Sequence, residues 1–124
     1  MSDSKQTESI NAEALTKLQE SAAAGPVVML NLLRFKPEGG AESYGAYGTA
    51  VGPLLEQAGG EVIYAGQPNE LVIGSDRWDL MLLVRYPTRG AFLQMITSAE
   101  YLEISNLRDA ALDDSVLYAT DPLG

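Results

Sequence analysis

Six side chains have the type and setting to do chemistry: Asn31, Tyr44, Tyr47, Trp78, Arg85 and Arg108. Asn31 interrupts an otherwise apolar run, VVMLNLLRFK, where an unpaired amide would cost about 1–3 kcal/mol. It either holds a ligand carbonyl or enolate, or bonds neighbouring backbone. Tyr44 and Tyr47 stand three apart on one helical face, where a phenol can polarise a carbonyl or simply fill core with a wet tip. Arg85 shares a strand parity with Met81 and Leu83, so it is either an anion receptor or one half of an ion pair with Asp79 or Glu61. Arg108 has the same choice between a carboxylate ligand and an ion-pair clamp with Asp109, Asp113 or Asp114. Trp78, the single tryptophan, is a stacking wall for an aromatic ligand or a plug at a sheet rim.

What is missing narrows the chemistry. The chain has no histidine and no cysteine. That removes the usual general base, the Ser-His-Asp triad, thiolate nucleophiles, disulfides and the commonest metal ligands. No glycine-rich phosphate loop follows a strand. Net charge is −9, from 8 basic and 17 acidic residues, which argues against nucleic acid and anionic membrane surfaces as partners. With 124 residues, 46% of them hydrophobic, the chain suits one folded domain. No membrane span or secretion signal stands out, so the expected setting is cytoplasmic.

The elements that must position these residues follow from periodicity. Residues 7–24 read as a helix with a thin apolar stripe, stopped by Gly25-Pro26. We treat 1–25 as a helical extension and 26–124 as the domain proper. Val27 to Lys36 is a strand, bounded by prolines. Residues 41–58 form a helix that Pro53 should kink or restart. Strands follow at 61–67, with Leu71 to Gly74 as a candidate extension of that hairpin, and at 79–86. A short helix at 88–96 precedes a longer one to about Leu112, which the spacing Thr97-x-x-Glu100 marks as a capping box. Asp113-Asp114 should interrupt before a last strand at 115–120. Without the first helix the order is β-α-β-β-α-β, an α+β, ferredoxin-like split βαββαβ arrangement with helices on one face of an antiparallel sheet.

Two strands break the usual alternation of half-buried antiparallel strands. In the first, Val27, Met29, Leu33 and Phe35 fill one parity and Val28, Leu30 and Leu32 the other. In the third, Met81 and Leu83 oppose Leu80, Leu82 and Val84. Both sheet faces therefore need cover, and two helices can cover only one. Either the first helix caps the second face or a second copy of the chain does, making a homodimer.

The segments VVMLNLLRFK, YGAYGTAVGPLLEQAGGEVIYAG, WDLMLLVRYPTRGAFLQMI and EYLEISNLRDAALDDSVLYAT resemble the domain of unknown function 1330 family, over roughly residues 26–120. The particular pieces are Asn-Leu-Leu-Arg-Phe-Lys at a strand end, Trp-Asp opening the third strand, Tyr-Pro-x-x-x-x-Phe, and Arg-x-x-Ala-Leu. The resemblance implies a dimeric α/β barrel with an internal cavity. That superfamily also holds cofactor-free quinol oxygenases and haem-degrading oxygenases, some similar in carrying an asparagine on the first strand and a later tryptophan, as Asn31 and Trp78 would be. The haem-degrading members need a histidine, which this chain lacks. Relatives also carry a histidine just before the helix arginine, where this chain reads Asn106-Leu107-Arg108.

The expectation is a homodimer binding a small oxygen-containing organic molecule between sheet and helices, without metal or cofactor. Asn31, Tyr47 and Arg85 would be the reacting set, with Tyr44, Trp78 and Arg108 holding the ligand. Isomerisation, cyclisation or cofactor-free oxidation through a stabilised enolate is one outcome. A non-catalytic metabolite-binding or scaffold dimer is the other.

Overall fold

In the computed structural model, which describes residues 11–123, the chain forms four helices and four strands. In order they are α1 (Ala12–Glu20), β1 (Val27–Phe35), α2 (Gly40–Gln57), β2 (Glu61–Gly66), β3 (Leu80–Tyr86), α3 (Arg89–Ile96), α4 (Ala99–Ala111) and β4 (Leu112–Thr120). The sheet order is β2-β3-β1-β4, and every neighbouring pair is antiparallel. β3 is inserted between β1 and β2, which is the split βαβ connection expected from the order of elements.

Strand register sorts the sheet's side chains into two faces, because opposed residues share a face. Val27, Met29, Asn31 and Leu33 lie opposite Tyr86, Val84, Leu82 and Leu80. This face carries the core. Val27, Met29, Val84 and Tyr86 are buried against Phe92 and Met95 of α3, with Leu54 and Leu55 of α2, Tyr101 of α4 and Leu18 of α1 around them. A second cluster joins Leu33 to Ala111 and Leu112, with Phe35 and Tyr44 packed against it, and Leu82 touches both clusters.

The opposite face is bare. Its residues are Val28, Leu30 and Leu32 of β1, Met81 and Leu83 of β3, Tyr64 of β2, and Val116 and Tyr118 of β4. None is buried, and Tyr118 and Tyr64 keep 62% and 52% of their surface exposed. The first helix does not cover it. α1 lies against α3, and Leu18 packs into the helix-side core. Between the two ways of covering the second face, the structure removes the one that used the N-terminal helix.

Several local expectations change. Of the helix read at 7–24, residues 7–10 lie outside the described residues, and α1 ends earlier than expected, running from an Asn11 cap that accepts from Ala14 N–H at 3.1 Å to Glu20. α2 continues through Pro53 rather than restarting there. Leu71 to Gly74 is not strand but part of the irregular β2–β3 connection. α4 is capped by Ser98, whose hydroxyl accepts from Tyr101 N–H at 3.1 Å, because Thr97 already closes α3. Asp113 and Asp114 do not interrupt; β4 begins at Leu112, directly after α4.

Candidate functional site

The site-forming elements meet at the seam of α2 and α4 above the sheet. α2 starts close to the end of α4 because Gly40 has no side chain: a Cβ there would sit 2.7 Å from the Ala111 carbonyl oxygen and 3.1 Å from Phe35 Cβ. Ser43 of α2 adds a hydrogen bond, donating to the Leu107 carbonyl at 3.0 Å. These contacts set the register in which the aromatic side chains of α2 face those of α4.

Four rings follow one another across this seam. Phe35 and Tyr44 have centroids 5.6 Å apart, Tyr44 and Tyr47 5.3 Å, and Tyr47 and Tyr101 6.2 Å in an edge-on arrangement. The hydroxyls of Tyr47 and Tyr101 share a hydrogen bond of 2.9 Å. Tyr86, from β3, belongs to the same group of phenols and packs edge-on against Phe92.

Burial dominates the electrostatics here. Desolvation pushes the Tyr47 phenol far above its ordinary range, reinforced by the nearby Tyr101 hydroxyl and opposed by the Arg108 guanidinium. Desolvation likewise raises Tyr44, again with Arg108 opposing, and raises Tyr86. These phenols are therefore neutral hydrogen-bonding groups near neutral pH, not bases. Arg108 is half-buried and, among the described residues, makes no ion pair. The acids expected to clamp it point elsewhere. Asp109 and Asp113 are exposed, and Asp114 pairs with Arg34 at 2.8 Å.

Asn31 lies on the same sheet face, between Met29 and Leu33 and opposite Leu82, where the two core clusters meet. Its amide nitrogen donates to the Met29 carbonyl at 3.3 Å, a long local bond. Its amide oxygen accepts no protein hydrogen bond among the described residues.

The structure thus brings Tyr44, Tyr47 and Arg108 together and sets Asn31 on the same side of the sheet. Arg85 and Trp78 are elsewhere. Arg85 is exposed on the bare face, opposite Val28 and Glu61, and forms no ion pair with Asp79 or Glu61 among the described residues. Trp78 precedes β3 and is covered by Arg34, whose guanidinium carbon is 5.0 Å above the ring. The parity that united Arg85 with Met81 and Leu83 was read correctly, but that parity faces away from the helices. Two residues escaped the sequence reading, Tyr86 and Tyr101. Tyr101 was accessible to it, since it stands seven before Arg108 and so shares its helix face.

An open cleft of about 340 Å³ lies elsewhere in the helix layer, lined by Leu54, Ala58, Ala91, Gln94, Met95 and Ser98 among others. None of the six candidate residues lines it. Among the described residues, no group of three or more acidic side chains could hold a metal ion, and no helix is long and apolar enough to cross a membrane.

Comparison with known proteins adds the family. The model of the domain of unknown function DUF1330 matches residues 39–120, most of the chain and all of α2 through β4. The chain belongs to the DUF1330 family. A protein of unknown function from Rhodopseudomonas palustris is 35% identical over 94% of this chain and 96% of that one, with a TM-score of 0.88. More distant likenesses show the fold. A dimeric ferredoxin-like protein of unknown function from Jannaschia sp. is 12% identical, over 79% of this chain and 100% of the other, at TM-score 0.64. Another such dimeric protein, from Bacteroides fragilis, is 11% identical, over 79% and 97%, at TM-score 0.58. Comparison with curated proteins gives no match. The DUF1330 fold is therefore ferredoxin-like here, in agreement with the order of elements.

Proposed function

We propose that two copies of this chain pair through their bare sheet faces, and that each copy binds a small organic oxyanion, a carboxylate or an enolate, at the α2–α4 seam. The pairing is supported by eight apolar side chains on one sheet face that no described residue covers, a surface that monomeric proteins rarely leave in water. It accords with the description of the Jannaschia and Bacteroides relatives as dimeric.

One observation carries the binding role. In a chain with 17 acidic and only 8 basic residues, Arg108 is half-buried among phenols and, among the described residues, has no carboxylate paired with it. A guanidinium partly withdrawn from water is normally paired, so the counter-charge we assign to it is the ligand's. One of the Tyr47 and Tyr101 hydroxyls donates to the other, which leaves one O–H of the pair to donate to the ligand's oxygen, and the amide oxygen of Asn31, which accepts no protein hydrogen bond among the described residues, accepts from a hydroxyl on its far side. The chemistry such a set performs is electrostatic. It stabilises negative charge on oxygen, and it offers no side chain poised to remove a proton. Binding is the primary role; a reaction at this site would be one whose transition state gathers charge on an enolate oxygen.

Benzoate and pyruvate serve as probes. Either one, at millimolar concentration, should raise the melting temperature of the wild-type protein, while equal chloride should not. Arg108→Gln should remove that rise with its circular dichroism unchanged. An Arg108→Gln protein that responds to the carboxylates as the wild type does would overturn the site, as would a wild type indifferent to both.

A further inference from the structure

The β2–β3 connection is long and apolar at its tip. Leu71, Val72 and Ile73 are exposed, the last two at 86% and 91%. Such a loop usually carries polar side chains and moves freely, but this one is tied down on both sides. Arg77 donates to the Asn69 carbonyl at 3.0 Å, closing the loop on itself. Arg34 donates to the Arg77 carbonyl at 2.9 Å and to Asp114 at 2.8 Å while covering Trp78. Asp79 N–H donates to the Leu33 carbonyl at 2.8 Å, and the Asp79 carboxylate accepts from Phe35 N–H at 2.8 Å. The loop is thus fastened to β1 and β4 with its apolar tip held out in water.

We infer that Leu71-Val72-Ile73 is an arm that packs on a second copy of this chain, extending the pairing of the two sheets. The inference rests on the proposed dimer and adds to it a contact that the sheets alone do not make. Three observations favour a second copy as the occupant. Arg34, the anchor of the arm, follows Leu32 on the bare-face parity, opposite Asp114, so the arm is rooted at the edge of the face that needs a partner. The net charge of −9 disfavours an anionic membrane as the occupant. The short segment reads as a strand by composition, bounded by Pro68 and Gly74, yet among the described residues it has no partner strand.

Sedimentation equilibrium of the full chain tests this. Val72→Ser combined with Ile73→Ser leaves the core untouched, since both side chains point into water. This double variant should raise the dimer dissociation constant roughly 100-fold, as expected for removing about 2.7 kcal/mol of apolar contact. Leu102→Ser, an equally innocuous change at an exposed apolar residue on α4, should leave the constant within about threefold. If the double variant dimerises as tightly as the wild type, the arm serves another partner or none, and the inference fails while the sheet pairing stands. If the wild-type chain is itself a monomer, the arm and the pairing fail together.

Discussion

Tyr47 of α2 and Tyr101 of α4 join their helices by a single hydroxyl-to-hydroxyl hydrogen bond of 2.9 Å, but the two ends of that bond are not equivalent. Tyr47 is 8% exposed, whereas Tyr101 is only half-buried. Water can replace a lost partner for Tyr101 and cannot readily do so for Tyr47.

Tyr101→Phe should therefore cost more stability than Tyr47→Phe. The first strands a buried hydroxyl, at about 1–3 kcal/mol, while the second leaves a hydroxyl that water can reach, at about 0.5–1 kcal/mol. The double variant should be no worse than Tyr101→Phe alone. Urea unfolding of the three proteins measures this, and a costlier Tyr47→Phe would contradict the burial difference.

Stability should be flat up to about pH 9 and fall in stronger alkali. Tyr44, Tyr47 and Tyr86 all have phenols raised by burial above the unfolded value of 10.0. A raised phenol contributes stability that is fully present below that value. It is lost as pH climbs above it, because the unfolded chain then releases protons that the folded chain retains. Each such phenol steepens the loss by about 1.4 kcal/mol per pH unit. Unfolding titrations between pH 8 and 11 should show this slope, reduced in Tyr47→Phe. Equal slopes in both proteins would mean that Tyr47 is not held neutral by the fold.

Gly40→Ala should destabilise the chain by about 1–3 kcal/mol, although alanine favours helix. Its added methyl would meet the Ala111 backbone oxygen and Phe35, and neither is the flexible end of a side chain. α2 would have to move away from α4, so the fluorescence of the tyrosine cluster should change as well. Gly45→Ala is the control, because nothing lies within 4 Å of its added carbon; it should be neutral or stabilising. Similar losses in both variants would show that helix geometry, not the α2–α4 approach, governs the effect.

The order of elements and the two-faced character of β1 and β3 were legible in local pattern. Alternation is a local property, and Val27 to Phe35 lacks it, with apolar residues on both parities. Which parity met the helices was not legible, and this separated Arg85 from Tyr47. The parity of β3 places Arg85 with Met81 and Leu83, but only the pairing with β1 shows that those residues line the bare side. Asp113-Asp114 looked like a break because two acids disfavour a strand. Asp114 is nonetheless accommodated there by Arg34, 80 residues away, through an ion pair that no local window contains. The cap of α4 failed for a smaller reason. Thr97 and Ser98 both suit the role, and Thr97 was already engaged in ending α3, donating its hydroxyl to the Leu93 carbonyl at 2.8 Å.

The bare face of the sheet is the feature on which both the pairing and the arm depend, and the mass of the particle in solution examines it directly. At micromolar concentration the wild-type chain should sediment at twice its 13.3 kDa, and Leu83→Asp, which puts a charge in the middle of that face, should return it to a single folded chain. A wild-type protein that sediments at 13.3 kDa would contradict the account.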